Sequence, residues 1–143
     1  MILALILIVV NLYILLNTKE PENLRIVRER YQILREYIHK SGDNEFKELC
    51  TEIPITAHYR AQAGSVGYNI NKGREIGLCI NGEPNEIMHV LIHELAHCTV
   101  DEYSHSAKFW SNYDKIKNMC VSIGVYQEIP EKTKFCGKHI QDK

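Results

Sequence analysis

The chain has 143 residues, 45% hydrophobic and 24% charged, the make-up of one small globular domain with an extra apolar segment. With 17 Lys and Arg against 18 Asp and Glu the formal charge is -1, so charge indicates neither a nucleic-acid partner nor an acidic substrate. Five cysteines (Cys50, Cys79, Cys98, Cys120 and Cys136) are odd in number and form no C-x-x-C pair, whereas a secreted disulfide scaffold usually shows an even set. Cys98 and Cys120 fall at helix-like apolar spacing, where a reduced thiol behaves as a small hydrophobe. The set as a whole predicts a reducing compartment.

Residues 1–16 are almost wholly aliphatic, carry no charge and hold one interior amide, Asn11. A helix over them would be about 24 Å long against a hydrocarbon core of about 30 Å, and Asn17 and Thr18 can extend it into the interface. A cleaved signal peptide would show a basic start and a small-x-small site, and neither is present. A core helix in so small a domain would show a wet face. Residues 1–18 therefore read as an N-terminal transmembrane anchor, ahead of a domain over 22–143. Lys19, Arg25, Arg28, Arg30 and Arg35 follow the run at once, which predicts that the domain faces the cytosol.

Pro21 stops the apolar segment, and Leu24, Val27, Tyr31, Leu34 and Ile38 then recur at the spacing of an amphipathic helix. Gly42 ends it as a left-handed cap would, and Asn44 is suited to cap a short second helix carrying Phe46, Leu49 and Cys50. Runs at 55–59, 66–70 and 75–80, punctuated by glycines, predict two or three short strands. Pro84 opens the next helix, over 84–99, with Ile87, Leu91, Leu95 and Cys98 on one face. Ser106 caps a last helix striped by Phe109, Tyr113, Ile116, Cys120 and Ile123 and closed by Gly124. The tail from Val125 has no clear period. This order is that of an α+β domain.

His93-Glu94-Leu95-Ala96-His97 is H-E-x-x-H. Four residues are just over one helical turn, so both imidazoles leave one face and can grip one ion. Zinc would lower the pKa of a bound water, and the Glu94 carboxylate would take its proton during attack on a carbonyl. The neighbouring Val90-Leu91-Ile92 and Leu95-Ala96 make the helix core-like, where two histidines and a glutamate are costly to bury without a metal. His89 lies about 12 Å along the axis from His97, too far to share an ion, so it reads as a packed or surface histidine. A catalytic zinc needs a third protein ligand. His105 is the favoured candidate, with polar chain at 101–104 to turn back toward the helix. Glu128 is the second, because another metal-site pattern draws a glutamate from a later helix. Asp101 and Glu102 read as supporting or solvent-facing groups.

His93-Glu-Leu-Ala-His97 followed by His105-Ser-Ala-Lys-Phe109-Trp110 resembles the WLM family of zincin peptidases, relatives of the SprT-like proteases. Asn71 to Ile80 resembles the strand before that family's active-site helix. Ile123-Gly-Val-Tyr126 and Phe135-Cys-Gly137 resemble the compact membrane-anchored versions carried by large DNA viruses, which implies a host or virion membrane. The resemblance implies a zincin-like fold, Zn2+ held by His93, His97 and His105, Glu94 as the catalytic residue, and proteolysis of a protein or peptide substrate. Some members of the family degrade proteins crosslinked to DNA. The expected protein is thus a tethered zinc metallopeptidase. A tethered binding module that keeps the fold without turnover is the alternative, disfavoured by the intact Glu94. A structural zinc site closed by Cys136 is the third reading.

Overall fold

The computed structural model of the protein describes residues 1–143. The first helix, α1 (Ile2–Asn17), is continuous, and none of its residues is buried. Its apolar side chains run all round, so it has no face to give to the domain core. Only sixteen residues long, it does not by itself meet the length and apolarity needed to cross a membrane, nor does any other single helix.

The second helix, α2 (Glu22–Ser41), buries the predicted stripe Leu24, Val27, Tyr31, Leu34 and Ile38 and ends at Gly42, whose φ of 68° is the left-handed cap conformation. The short segment after it differs from expectation. It is a single 3-10 turn, Lys47–Cys50, capped by Phe46 rather than Asn44. The Asn44 carbonyl accepts from the Lys47 N–H at 3.4 Å, so this residue serves through its backbone.

Three strands follow, β1 (Ile55–His58), β2 (Gly67–Ile70) and β3 (Glu75–Cys79), in the spatial order β1-β3-β2. β1 runs parallel to β3, with Ile55 opposite Ile76 and Ala57 opposite Leu78. β2 returns antiparallel through a turn in which Asn71 and Lys72 take left-handed φ values of 48° and 53°. The sheet lies on helix α3 (Pro84–His97), which also packs against α2 and against α4 (Ala107–Ser122). Contact on several sides explains why α3 buries Met88, Val90, Ile92 and Ala96 besides the predicted Ile87, Leu91 and Leu95. Truncating one of these, such as Leu91→Ala, would cost about 2–5 kcal/mol.

At the start of α3, Pro84 takes the first helical position and Glu83 with Glu86 forms a reciprocal capping box. At the start of α4, the Ser106 hydroxyl accepts from the Phe109 N–H at 3.1 Å. The tail carries structure that its sequence did not reveal. Strands β4 (Thr133–Phe135) and β5 (Lys138–Ile140) form a hairpin, and its two turn residues, Cys136 and Gly137, both have positive φ (49° and 76°).

That hairpin corrects the cysteine reading, because Cys136 is disulfide-bonded to Cys79 on β3. The two are 57 residues apart, and only the hairpin's position beside the sheet brings them together. The pairing removes the cysteine argument for a reducing compartment. Cys50, Cys98 and Cys120 are free, and Cys120 is a buried member of the apolar core, as expected.

Candidate metal centre

His93 and His97 leave α3 on the edge beside the start of α4, half-buried, with their ring centres 5.1 Å and 4.4 Å from that of Phe109. His105 comes from the loop between α3 and α4. Its Nε2 lies 3.1 Å from Nε2 of His93 and 3.2 Å from Nε2 of His97. Two imidazole nitrogens on a tetrahedral zinc at 2.0–2.1 Å would be about 3.3 Å apart, so the donor set fits that ion. The three histidines can hold a metal ion. Burial, with the neighbouring histidines, pushes the His93 imidazole down to about 3 and the His97 imidazole down to about 4. Both are therefore neutral near pH 7, the protonation state that coordination needs.

Glu94 lines the same cleft, and burial raises its carboxyl to about 7. It faces Gly67 at the start of β2. A Cβ at Gly67 would fall 2.4 Å from Cγ1 of Val90 and 3.0 Å from Oε1 of Glu94, so only glycine lets the strand pass this close to the carboxylate. The Asn69 side chain donates to the Glu94 carbonyl at 3.0 Å and accepts from the Gly73 N–H at 2.9 Å, tying the β2–β3 hairpin to the site helix. The sequence marked neither Gly67 nor Asn69 as site residues.

The loop that delivers His105 is held from three directions. Lys72 donates to the carbonyls of His97 (3.3 Å) and Glu102, and its ammonium lies 4.3 Å from the centre of the Tyr103 ring. Asn112 on α4 donates to the Thr99 hydroxyl at 2.9 Å, and the Ser106 hydroxyl donates to the Glu102 carboxylate. A cation at the carbonyl end of α3 also suits the helix dipole. Lys72→Met is expected to weaken zinc binding by about 10–100-fold, the usual cost of losing a group that orients ligands. Competition against a chromophoric chelator measures this, and unchanged affinity would show that the loop stands without Lys72.

The other candidates lie elsewhere. His89 is packed, its Nδ1 3.1 Å from both the Tyr126 hydroxyl and Asp142 Oδ1. Asp142 also accepts from the Tyr113 and Tyr126 hydroxyls and the Ile129 N–H. Burial raises its carboxyl, and the hydrogen bonds from these partners and from His89 outweigh this and hold it low. Glu128 is paired with Lys117 at 3.4 Å rather than turned to the histidines. Cys136 is committed to its disulfide, so it does not close a fourth coordination position. Asp101 is exposed.

The WLM domain family matches residues 45–143, which takes in the sheet, the histidine triad and the C-terminal hairpin. An uncharacterized protein of Acanthamoeba polyphaga mimivirus is 25% identical over 138 residues, covering 83% of this chain and 70% of that protein. An uncharacterized protein of Invertebrate iridescent virus 6 is 31% identical over 83 residues, covering 52% of this chain and 46% of that protein. No solved structure matches the chain. The family is associated with metallopeptidase activity. On a match that spans more than half its length, this α+β chain belongs to the WLM domain family.

Proposed function

We propose that the protein is a zinc-dependent peptidase in which His93, His97 and His105 hold the metal and Glu94 is the general base. The observation that carries this reading is the convergence of three Nε2 atoms beside a buried carboxylate that is not one of the converging donors. A purely structural site would need the donors but not Glu94. A bound zinc ion would supply a Lewis acid for the scissile carbonyl and acidify the attacking water. Glu94 then accepts the water's proton at its carboxylate and returns it to the leaving amine.

The substrate lies along β2, an edge strand. The Val66 carbonyl accepts from the Cys79 N–H, and by strand alternation the main-chain groups of Gly67 and Asn69 face the free edge. An extended peptide can add there beside Glu94. The helix α1 serves as the tether: its uncovered aliphatic surface is a lipid surface, and its shortfall against a bilayer is met by Asn17 and Thr18 at the interface and local thinning. The basic residues after it keep the domain on the cytosolic side.

Two measurements test this. Metal analysis of the purified full chain should find zinc, and hydrolysis of an unfolded protein should stop on chelation and return with zinc. A zinc-loaded chain that cleaves nothing would favour the binding-module reading. Carbonate extraction should leave the full chain in the membrane fraction, and release into the supernatant would remove the tether.

A further inference from the structure

His89 lies one turn before His93 on α3 and is 8% exposed, yet only one of its ring nitrogens is committed to the protein. Nδ1 faces three oxygens, the hydroxyls of Tyr126 (3.1 Å) and Tyr113 (3.4 Å) and Oδ1 of Asp142 (3.1 Å). Nε2 has no protein partner and is not sealed in, since Arg35 Nε is the one enclosed side-chain nitrogen or oxygen left unpaired. With Nδ1 turned into that cluster, Nε2 opens on a cavity of about 250 Å³ that His89 shares with His93 and Glu94. The cavity runs between Gly67 on β2, Trp110 on α4 and Ile140 on β5. We propose that His89 is a substrate-binding residue, whose Nε2 accepts from a main-chain N–H of an extended peptide about two residues from the cleaved bond. The inference rests on the peptidase reading and adds to it a contact that the metal centre does not supply.

The hydrogen count fixes what Nε2 can do. Each tyrosine hydroxyl has one hydrogen, and both donate it to Asp142, at 2.5 Å from Tyr113 and 2.7 Å from Tyr126. Burial raises the Asp142 carboxyl, but its donors outweigh this and keep it ionised, so it has no hydrogen to give. No neighbour can therefore supply one to Nδ1, which carries its own and donates it to Asp142. The neutral ring then presents a lone pair at Nε2. A carboxylate behind one nitrogen thus sets the orientation and the tautomer of a ring that works through the other.

Position selects the partner. Four residues of helix place His89 about 6 Å from His93 along the axis, and an extended chain advances about 3.3 Å per residue. A peptide on the free edge of β2, with its bond at the histidine triad, passes His89 about two residues away. Alternate residues of such a strand pair with β2, and those between turn their N–H groups away from it, into the cavity. The lining mixes Ser65, His139 and Gln141 with Val66, Val90 and Ile140, so it sorts side chains poorly. A main-chain donor needs no such sorting, because every peptide carries it.

Peptides in which one amide at a time is replaced by an ester, losing a single N–H, test this on the zinc-loaded full-length Glu94→Gln chain. Trp110, the one tryptophan, borders the cavity, so its emission reports binding without turnover. An ester about two residues from the cleaved bond should weaken binding about tenfold through the lost donor. His89→Asn keeps a side-chain nitrogen near the place of Nδ1 to donate to Asp142 and removes the Nε2 acceptor. In that background the same ester and its parent amide should bind alike, while esters that disturb pairing with β2 keep their cost. Asp142→Asn offers an amide N–H to Nδ1, which moves the ring hydrogen to Nε2, and should abolish the difference as well. Zinc content checks that both variants are folded. A histidine that only holds the fold would weaken every peptide equally and leave the ester difference in place, which overturns the proposal. So does the absence of any ester whose cost depends on His89. If the wild type binds zinc and hydrolyses nothing, that dependence still establishes the contact while the peptidase reading falls. Hydrolysis without it keeps the peptidase reading and removes His89 from the substrate.

Discussion

Glu94→Gln is expected to lower hydrolysis by about 10²–10⁴-fold, the range supplied by general acid–base catalysis, while the zinc content stays that of the wild type. The amide is nearly isosteric with the carboxylate, and the converging donors belong to the three histidines, so the metal should remain. Loss of zinc along with activity would make Glu94 a ligand; equal activity would end its role as base. The same substitution has a stability signature in the metal-free chain. The folded Glu94 carboxyl sits at about 7, above its ordinary 4.5, so it binds a proton more tightly folded than unfolded. Its favourable contribution is fully present below pH 4.5 and is lost as pH rises through about 7. Glutamine does not titrate. The stability difference between variant and wild type should therefore grow in the variant's favour from pH 5 to pH 8. A difference that stays flat over that interval would mean that Glu94 is not held in a desolvated site. His93 and His97 titrate alike in both proteins and drop out of the comparison.

Removing the Cys79–Cys136 disulfide is expected to destabilise the domain by about 4 kcal/mol, the chain-entropy figure for a loop of its 57-residue separation. Phe135 and Ile140 are buried, so the hairpin keeps apolar contacts after reduction and the native geometry need not collapse. The loss then comes from the freed unfolded chain. Denaturant midpoints of the wild type with and without reductant, beside those of Cys136→Ser, measure it. Coincident midpoints in all three samples would show that the two thiols are not paired in the purified protein. A large shift would show that the two thiols are paired in the purified protein.

Each feature that can be read from one helix or turn was open to the sequence. The stripe Leu24 to Ile38, the cap at Ser106 and the left-handed Gly42 depend on neighbours within a few residues, where side-chain periodicity and backbone sterics act directly. His93 and His97 share a face for the same reason, because one helical turn sets their spacing. The position of His105 is not set locally, since a loop can turn either way; its approach to within 3.2 Å depends on Lys72 and Asn112, which come from other elements. Gly67 gave no local sign of its role, because what it makes room for is Glu94 on a helix packed against its strand. The sequence also left the tail shapeless. Three-residue strands have too little alternation to show, and their hairpin is secured by buried side chains and a bond to Cys79. The amino-acid order thus determined the helix that carries His93, Glu94 and His97, their shared face and the helical framework, all through local geometry. Tertiary packing decided which cysteines pair, how the third histidine is delivered and what walls the cleft, because those depend on contacts between residues far apart in the chain.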